Sequence, residues 1–331
     1  MARLFVVPVI PQSFPLRGPS PDKVNIPASP VVERSLPTRV DLCEVGPRDG
    51  FQFESLPIPT ELKIDVLRGL VSAGLRTIQV TSFVHPGKVP QMADAEAVFE
   101  AVMAFARPGV RFTGLCLNQR GVDRAAAAGL SYVDLSIATN DTHGRDNAGM
   151  SAERGAELAA DMIARAREAG MQVQLGLQTV FGYREPGDTD LGTVVAWAGR
   201  FAEMGVESIS IADSTGMANP GSITERVLAV QDAIGDVPLV LHLHDTRGLG
   251  LVNVFQAMQL GVTRFDTSLG GLGGCPFIPG ATGNIATEDV LQLCSSLGVE
   301  TGVEAAAVAE QTRLVADHLG RSLPGRMYKL L

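Results

Sequence analysis

The feature that most constrains the fold is an alternation of short β-branched runs with longer Ala-, Leu-, Glu- and Arg-rich segments, repeated eight times from residue 40 onward. Such alternation is typical of βα units built around a parallel sheet. The predicted strands are residues 40–45, 77–81, 111–117, 132–138, 172–179, 208–212, 238–244 and 264–268. Eight units close most simply into a (β/α)8 TIM barrel. A doubly wound open sheet is the second choice, and no GxGxxG motif follows the first strand.

Helical segments are predicted between the strands, and both ends of the chain add to the barrel. The helices named by the pattern are 61–72, 93–105, 152–169, 191–204, 222–234 and 249–260. Residues 303–319 predict an added C-terminal helix that covers the barrel or a partner subunit. Eight prolines before residue 38 exclude regular helix and central strand there. We therefore expect an extended N-terminal arm at 1–37 and one barrel domain at 38–331.

Composition excludes several classes of partner. The formal net charge is −9 and no Lys/Arg cluster occurs, which disfavours nucleic acid and anionic membranes as partners. No apolar run reaches the roughly 18 residues of a membrane span. The four cysteines are far apart and form no CxxC pair, so neither a zinc knuckle nor a disulfide framework is expected. The chain reads as a cytoplasmic enzyme that acts on a small molecule.

The segment HLHD at 242–245 ends the seventh predicted strand. Alternation along a strand directs His242 and His244 to one face, at the end of the barrel where active sites gather. Two of only five histidines at this spacing, beside an acid, favour a metal site over buried structural imidazoles. A metal held by two imidazoles needs oxygen ligands, and Asp49 follows the first strand in GPRDG at 46–50. Alone, that Asp-Gly pair would indicate only a turn.

Residues 270–284 hold six glycines and the thiol of Cys275. Glycine at this density indicates a loop that moves or approaches a ligand closely, whereas the plainer interpretation is a flexible connector. A thiol in the loop can take up or donate a proton and favours the functional interpretation.

These motifs resemble those of the 3-hydroxy-3-methylglutaryl-CoA lyases, over roughly residues 38–302. The matching segments are EVGPRDGFQ at 44–52, VTSFV at 80–84, VPQM at 89–92, HLHDT at 242–246, GLGGCP at 271–276, GN at 283–284 and ATED at 286–289. The resemblance implies a TIM-barrel lyase that cleaves 3-hydroxy-3-methylglutaryl-CoA to acetyl-CoA and acetoacetate, a step of leucine degradation. It also implies an acyl-CoA substrate and a homodimer or higher homo-oligomer.

Carried over position by position, the resemblance assigns roles to nine residues. It implies Mg²⁺ or Mn²⁺ held by Asp49, His242, His244 and Asn284. Catalytic roles fall on Arg48, His242 and Cys275, with Arg48 stabilising the enolate oxygen and Cys275 transferring a proton. Substrate-binding positions are Gln79, Ser82 and Asp213.

One position departs from the family pattern. The lyases usually have Glu before Val-Thr-Ser-Phe, and this chain has Gln79. A neutral amide there is expected to leave the site one charge more positive and to tune substrate choice. The alternatives are a lyase for citramalyl-CoA or an isoprenoid-derived hydroxyglutaryl-CoA, a Claisen-type synthase of an acyl-CoA and a 2-oxo acid, and a non-catalytic acyl-CoA-binding barrel. The loop GLGGCP favours the lyases over the synthases.

Overall fold

Eight parallel strands close into a barrel in the computed structural model, which describes residues 35–274 and 282–331. Each strand pairs with the next along the chain, and β8 pairs with β1 to close the ring. The strands β1 to β8 are Asp41–Glu44, Thr77–Ser82, Arg111–Cys116, Tyr132–Ala138, Gln172–Gln178, Ser208–Ala212, Leu239–His242 and Arg264–Thr267. The predicted (β/α)8 barrel is therefore confirmed. Of the predicted arm, residues 1–34 lie outside the described residues, and its boundary at residue 37 stays a prediction.

Alternation along the strands makes the barrel interior polar. In β5, Val173, Leu175 and Leu177 are at most 2% exposed and pack in the hydrophobic core beneath the helices. The residues between them are only partly buried and face the barrel axis. The same alternation in β4 brings Asp134 to the interior. Polar side chains inside the barrel are therefore available to a site at its mouth.

Ten α-helices lie within the described residues and surround the barrel. In chain order, α1 to α10 are Thr60–Ser72, Ala95–Met103, Gln119–Ala127, Asp141–Ala148, Ala152–Glu168, Leu191–Glu203, Pro220–Ile234, Gly250–Gln259, Thr287–Ser296 and Ala305–Leu319. The added helix α10 packs on α1 and α9 of the same chain. It buries Val308 and Val315 completely, and each such side chain contributes about 1.5–3 kcal/mol. Within the described part of the chain, no helix has the length and apolarity needed to cross a membrane.

Candidate metal centre

A single π-helical turn, Gly46–Gly50, follows β1 and brings Arg48 and Asp49 to the barrel mouth. The amides of both residues donate to the carbonyl of Val45, at 3.0 and 2.7 Å, which fixes the turn. Gly46 packs so tightly here that an added Cβ would lie 2.3 Å from Leu269 Cδ2. The turn is thus held against the segment that follows β8.

The two histidines approach each other where β7 ends. The ladder of β7 stops at His242, two residues earlier than predicted. His244 instead forms an antiparallel bridge with Asn284, on the segment that returns from the glycine-rich loop. Asp245 N donates to Gly283 O at 2.9 Å, and Ile285 N donates to Leu243 O at 3.1 Å. This returning segment places the amide side chain of Asn284 beside the imidazoles.

The loop stems meet at two glycines with positive φ. Gly273 and Gly283 have φ of +128° and +93°, a region that disfavours other residues. A Cβ on Gly283 would lie 2.6 Å from the carbonyl carbon of Gly273, so the backbones could not approach as they do. Of the residues between them, 275–281 lie outside the described residues, and Cys275 is one of these.

Asp49, His242 and His244 each offer one ligand atom, and these atoms lie within 4.8 Å of one another. The Nε2 atoms of the two imidazoles are 3.3 Å apart, and His242 Nε2 lies 3.9 Å from Asp49 Oδ2. Asn284 Nδ2 donates to Asp49 Oδ2 at 2.8 Å. Asn284 Oδ1 is buried without a hydrogen-bond partner among the described residues, an arrangement that a cation would satisfy. Two imidazoles, a carboxylate and an amide oxygen fit a divalent metal.

The protonation states of Asp49 and His244 suit a cation. Burial raises the pKa of Asp49, but Arg48, His242, Asn284 and His244 together lower it to about 2, so the carboxylate is ionised. Burial and the neighbouring imidazole lower the pKa of His244 to about 3, which leaves this ring neutral. Ionised carboxylates and neutral imidazoles are the forms that bind metals.

Asp266 orients His242, and sequence reasoning did not identify it. Its Oδ2 lies 3.2 Å from His242 Nδ1, on the strand position paired with His242 in the β7–β8 ladder. Burial lowers the pKa of His242, whereas the hydrogen bond and charge of Asp266 raise it, with a net rise. A carboxylate here fixes the proton on Nδ1 and leaves the Nε2 lone pair facing the cluster. The available signal was an acid inside β8 beside the histidine strand.

Arg48 is held at two points beside the cluster. Its Nη1 donates to Asp49 Oδ1 at 2.5 Å, and its Nε donates to Gln79 Oε1. Gln79 is 4% exposed and also donates through Nε2 to Asp134. Arg48 Nη2 has no hydrogen-bond partner in the described part of the chain. The guanidinium therefore has a donor left for a ligand.

The side chains of Ser82 and Asp213, the other predicted substrate-binding residues, form hydrogen bonds with backbone groups rather than with the ligand cluster. Ser82 is completely buried, and its hydroxyl donates to Leu115 O at 3.4 Å. Asp213 accepts hydrogen bonds from the backbone amides of Met217 and Ala218, at 2.7 and 3.1 Å. Ser82 thus bonds to the backbone of β3 and Asp213 to the backbone that precedes α7, and the roles of both residues in binding substrate stay predictions.

Known proteins resemble this chain over most of its length. The HMGL-like family model matches residues 39–315. The hydroxymethylglutaryl-CoA lyase YngG of Bacillus subtilis is 34% identical over 290 residues, which are 88% of this chain and 96% of that protein. The 3-hydroxy-3-isohexenylglutaryl-CoA/hydroxy-methylglutaryl-CoA lyase of Pseudomonas aeruginosa is 36% identical over 298 residues, which cover 90% of this chain and 98% of that protein. The (R)-citramalyl-CoA lyase of Chloroflexus aurantiacus is also 36% identical over 298 residues, which cover 88% of this chain and 94% of that protein.

A solved structure extends this likeness to three dimensions. The HMG-CoA lyase from Acinetobacter baumannii, in complex with coenzyme A and 3-methylmalate, superimposes with a TM-score of 0.83 at 34% identity. The match covers 88% of this chain and 95% of that one. The likeness in fold therefore extends over most of this chain and nearly all of that one.

Proposed function

Because the chain belongs to the HMGL-like family and is a carbon–carbon lyase, we propose that it cleaves 3-hydroxy-3-methylglutaryl-CoA to acetyl-CoA and acetoacetate. The observation that carries this proposal is the convergence of Asp49, His242 and His244 at the barrel mouth, beside Arg48. A relative that acts on the same compound, at 34% identity over 88% of the chain, supports the choice of substrate.

We propose Mg²⁺ or Mn²⁺ as the cation, with Asn284 as the fourth protein ligand. The unpartnered, buried Oδ1 of Asn284 supports that assignment. A divalent ion bound there supplies a Lewis acid and a template for the hydroxyl and carbonyl oxygens of the substrate. The protein residues hold the ligand atoms in place beforehand, Asp266 by orienting His242 and the 283–285 segment by carrying Asn284.

In the proposed reaction, the tertiary hydroxyl of the substrate loses its proton and the adjacent carbon–carbon bond breaks. The hydroxyl carbon becomes the ketone of acetoacetate, and the bonding electrons pass to the thioester as an enolate, which takes up a proton to give acetyl-CoA. Arg48 is positioned to donate a hydrogen bond to the enolate oxygen, through the Nη2 left over by Gln79 and Asp49. Loss of one such donor typically costs about 10²–10³ in rate.

Proton transfer needs groups other than the ligand atoms. In this arrangement His242 uses Nδ1 toward Asp266 and Nε2 toward the cluster, so we propose the ligand role for it. A second role for His242 as proton carrier requires it to leave one of these partners. Cys275 remains the proposed proton-transferring residue, on the basis of the family resemblance alone.

A second substrate class is favoured by a specific observation. Position 79 carries Gln, and relatives at 36% identity act on citramalyl-CoA and isohexenylglutaryl-CoA. We therefore keep branched hydroxyacyl-CoA thioesters of those kinds as candidates. The homodimer or higher oligomer and the cytoplasmic location also stay proposals. The free thiols of Cys43, Cys116 and Cys294 are consistent with a reducing compartment.

The test is turnover of a thioester panel by the purified protein. We expect cleavage of 3-hydroxy-3-methylglutaryl-CoA in Mg²⁺ or Mn²⁺, with acetyl-CoA and acetoacetate identified by mass, and reversible loss of cleavage on chelation. Asp49→Asn should lose activity, whereas Asp161→Asn, an exposed carboxylate on α5, serves as the matched control. Cleavage of only another thioester would move the assignment to that substrate. Metal-independent cleavage, or none with any member of the panel, would refute the proposal.

A further inference from the structure

A chain of hydrogen bonds crosses the barrel interior from Arg48 to Asp134. Arg48 Nε donates to Gln79 Oε1, and Gln79 Nε2 donates to Asp134 Oδ2. Thr113 Oγ1 donates to the same carboxylate oxygen at 2.5 Å. Gln79, Thr113 and Asp134 lie on the neighbouring strands β2, β3 and β4 and are 4%, 4% and 7% exposed. A polar group left without a partner at such a place is costly.

The direction of the Gln79 amide is fixed at both ends. An arginine side chain has only donors, so the oxygen of the amide must face Arg48. The amide nitrogen then points away from Arg48 and needs an acceptor, which the carboxylate of Asp134 supplies. Asp134 therefore sets the orientation of Gln79, and Gln79 sets that of the guanidinium.

We propose that Asp134 is a positioning residue for the lyase reaction, acting through Gln79 to hold the guanidinium of Arg48 against Asp49 and toward the substrate. The inference rests on the proposed function, since Arg48 is the group proposed to bind the enolate oxygen. The family pattern that the sequence resembles implies Glu where this chain has Gln79. In this chain Asp134 supplies a carboxylate one hydrogen bond farther from Arg48. Gln79 considered alone predicted a site one charge more positive, and that prediction left out the charge of Asp134.

Restoring the family residue alone should harm the site. Gln79→Glu replaces the donating amide with a second carboxylate against Asp134, and like charges this close repel unless one of the two carboxyls takes up a proton. Adding Asp134→Asn reverses the arrangement: the new amide donates to Glu at position 79 and accepts from Thr113 Oγ1. The double variant keeps the charge of the wild type and the same number of donors and acceptors, but the carboxylate is now at position 79 and the amide at position 134.

The experiment is a double-mutant cycle with Gln79→Glu, Asp134→Asn and their combination, with Asp161→Asn as the exposed control. We expect Gln79→Glu to lower kcat about 10- to 100-fold, and the double variant to recover to within about fivefold of wild type. Asp134→Asn alone keeps an acceptor for Gln79 and should lose less than Gln79→Glu. Mn²⁺ affinity should stay nearly constant across the set. If the double variant recovers the unfolding midpoint of the wild type but not its kcat, Asp134 has only a structural role and the proposal is overturned.

Crystal structures of the same variants give a readout that needs no turnover. The guanidinium of Arg48 should be displaced in Gln79→Glu and return to its place in the double variant. Asp134→Ala, which removes the acceptor and adds no charge, should show the same displacement and serves if Gln79→Glu does not fold. An unmoved Arg48 in these single variants would overturn the proposal. If the wild type cleaves no thioester, the proposed function fails, while these structures still decide what Asp134 does.

Discussion

Glu44 offers a stability prediction that can be worked out from the structure. It is completely buried at the end of β1, and its Oε1 accepts from Gly46 N at 2.8 Å and Leu269 N at 2.9 Å. Thr287 Oγ1 lies 2.6 Å from its Oε2 and 2.8 Å from Thr267 Oγ1. Burial raises the pKa of Glu44 from 4.5 to about 8, against the opposing effect of these hydrogen bonds. At neutral pH the carboxyl is therefore protonated. When the proton is on Oε2, it is donated to Thr287 Oγ1, and the hydroxyl hydrogen of Thr287 then goes to Thr267 Oγ1 instead of Glu44.

The raised pKa makes stability fall as the pH rises. The folded protein keeps the Glu44 proton between pH 4.5 and about 8, whereas the unfolded chain releases it. At about 1.4 kcal/mol per pH unit, the loss is roughly 3 kcal/mol between pH 4.5 and 7. Gln at position 44 preserves the contacts, since its oxygen accepts from both amides and its nitrogen donates to Thr287. Glu44→Gln should therefore match the wild type near pH 5 and exceed it by roughly 3 kcal/mol near pH 7.

The assay is urea unfolding of wild type, Glu44→Gln and Glu310→Gln at several pH values between about 5 and 8. Glu310 is an exposed carboxyl on α10, so its variant should follow the wild type at every pH. Other buried acids, such as Asp134 and Asp213, titrate alike in all three proteins and cancel in the differences. A constant difference between Glu44→Gln and wild type across this range would refute the assignment of a proton to Glu44.

Three further predictions concern the mouth of the barrel. Asp266→Asn should weaken Mn²⁺ binding about 10- to 100-fold, measured by calorimetry, because the carboxylate orients His242. The control Asp161→Asn should bind Mn²⁺ normally, and equal affinities of the two variants would contradict the role of Asp266. Gly46→Ala should lower the free energy of unfolding in urea by about 1–3 kcal/mol and weaken Mn²⁺ binding, because the new Cβ would lie 2.3 Å from Leu269 Cδ2. Unchanged stability and binding would show that the turn is free to shift. Cys275→Ser should bind Mn²⁺ normally and lose most of its turnover, since a hydroxyl is a far weaker acid than a thiol; unchanged turnover would remove Cys275 from the mechanism.

The fold was predictable because it depends on local periodicity. The eight strand segments and the helices named between them follow from hydrophobic patterns that each segment carries by itself. Three helices were not named, and one of them, α4 at Asp141–Ala148, is short and mostly polar. The end of β7 was placed two residues late, because His244 leaves the sheet to pair with Asn284. That contact joins residues 40 positions apart and has no local signal.

The candidate metal centre was partly predictable for a related reason. His242 and His244 share a strand face, and Asp49 follows a strand, so the barrel rule alone brings them to one end. Asn284 came only from the family resemblance, because the path of the returning segment decides where its side chain lies. Asp266 was missed although it is paired with His242 in register, since register between strands is not visible in either strand alone.

Position 79 shows why a departure from a family pattern cannot be interpreted one residue at a time. Judged alone, Gln79 removes a negative charge from beside Arg48. In the folded barrel, Gln79 passes a hydrogen bond to Asp134, which lies 55 positions later in the chain and two strands away. Arg48 requires an oriented acceptor and a compensating charge nearby, and a buried amide linked to a carboxylate provides both. Because both requirements are met by the hydrogen-bond network and not by a single position, substitutions at 79 and 134 should be tolerated together and resisted separately.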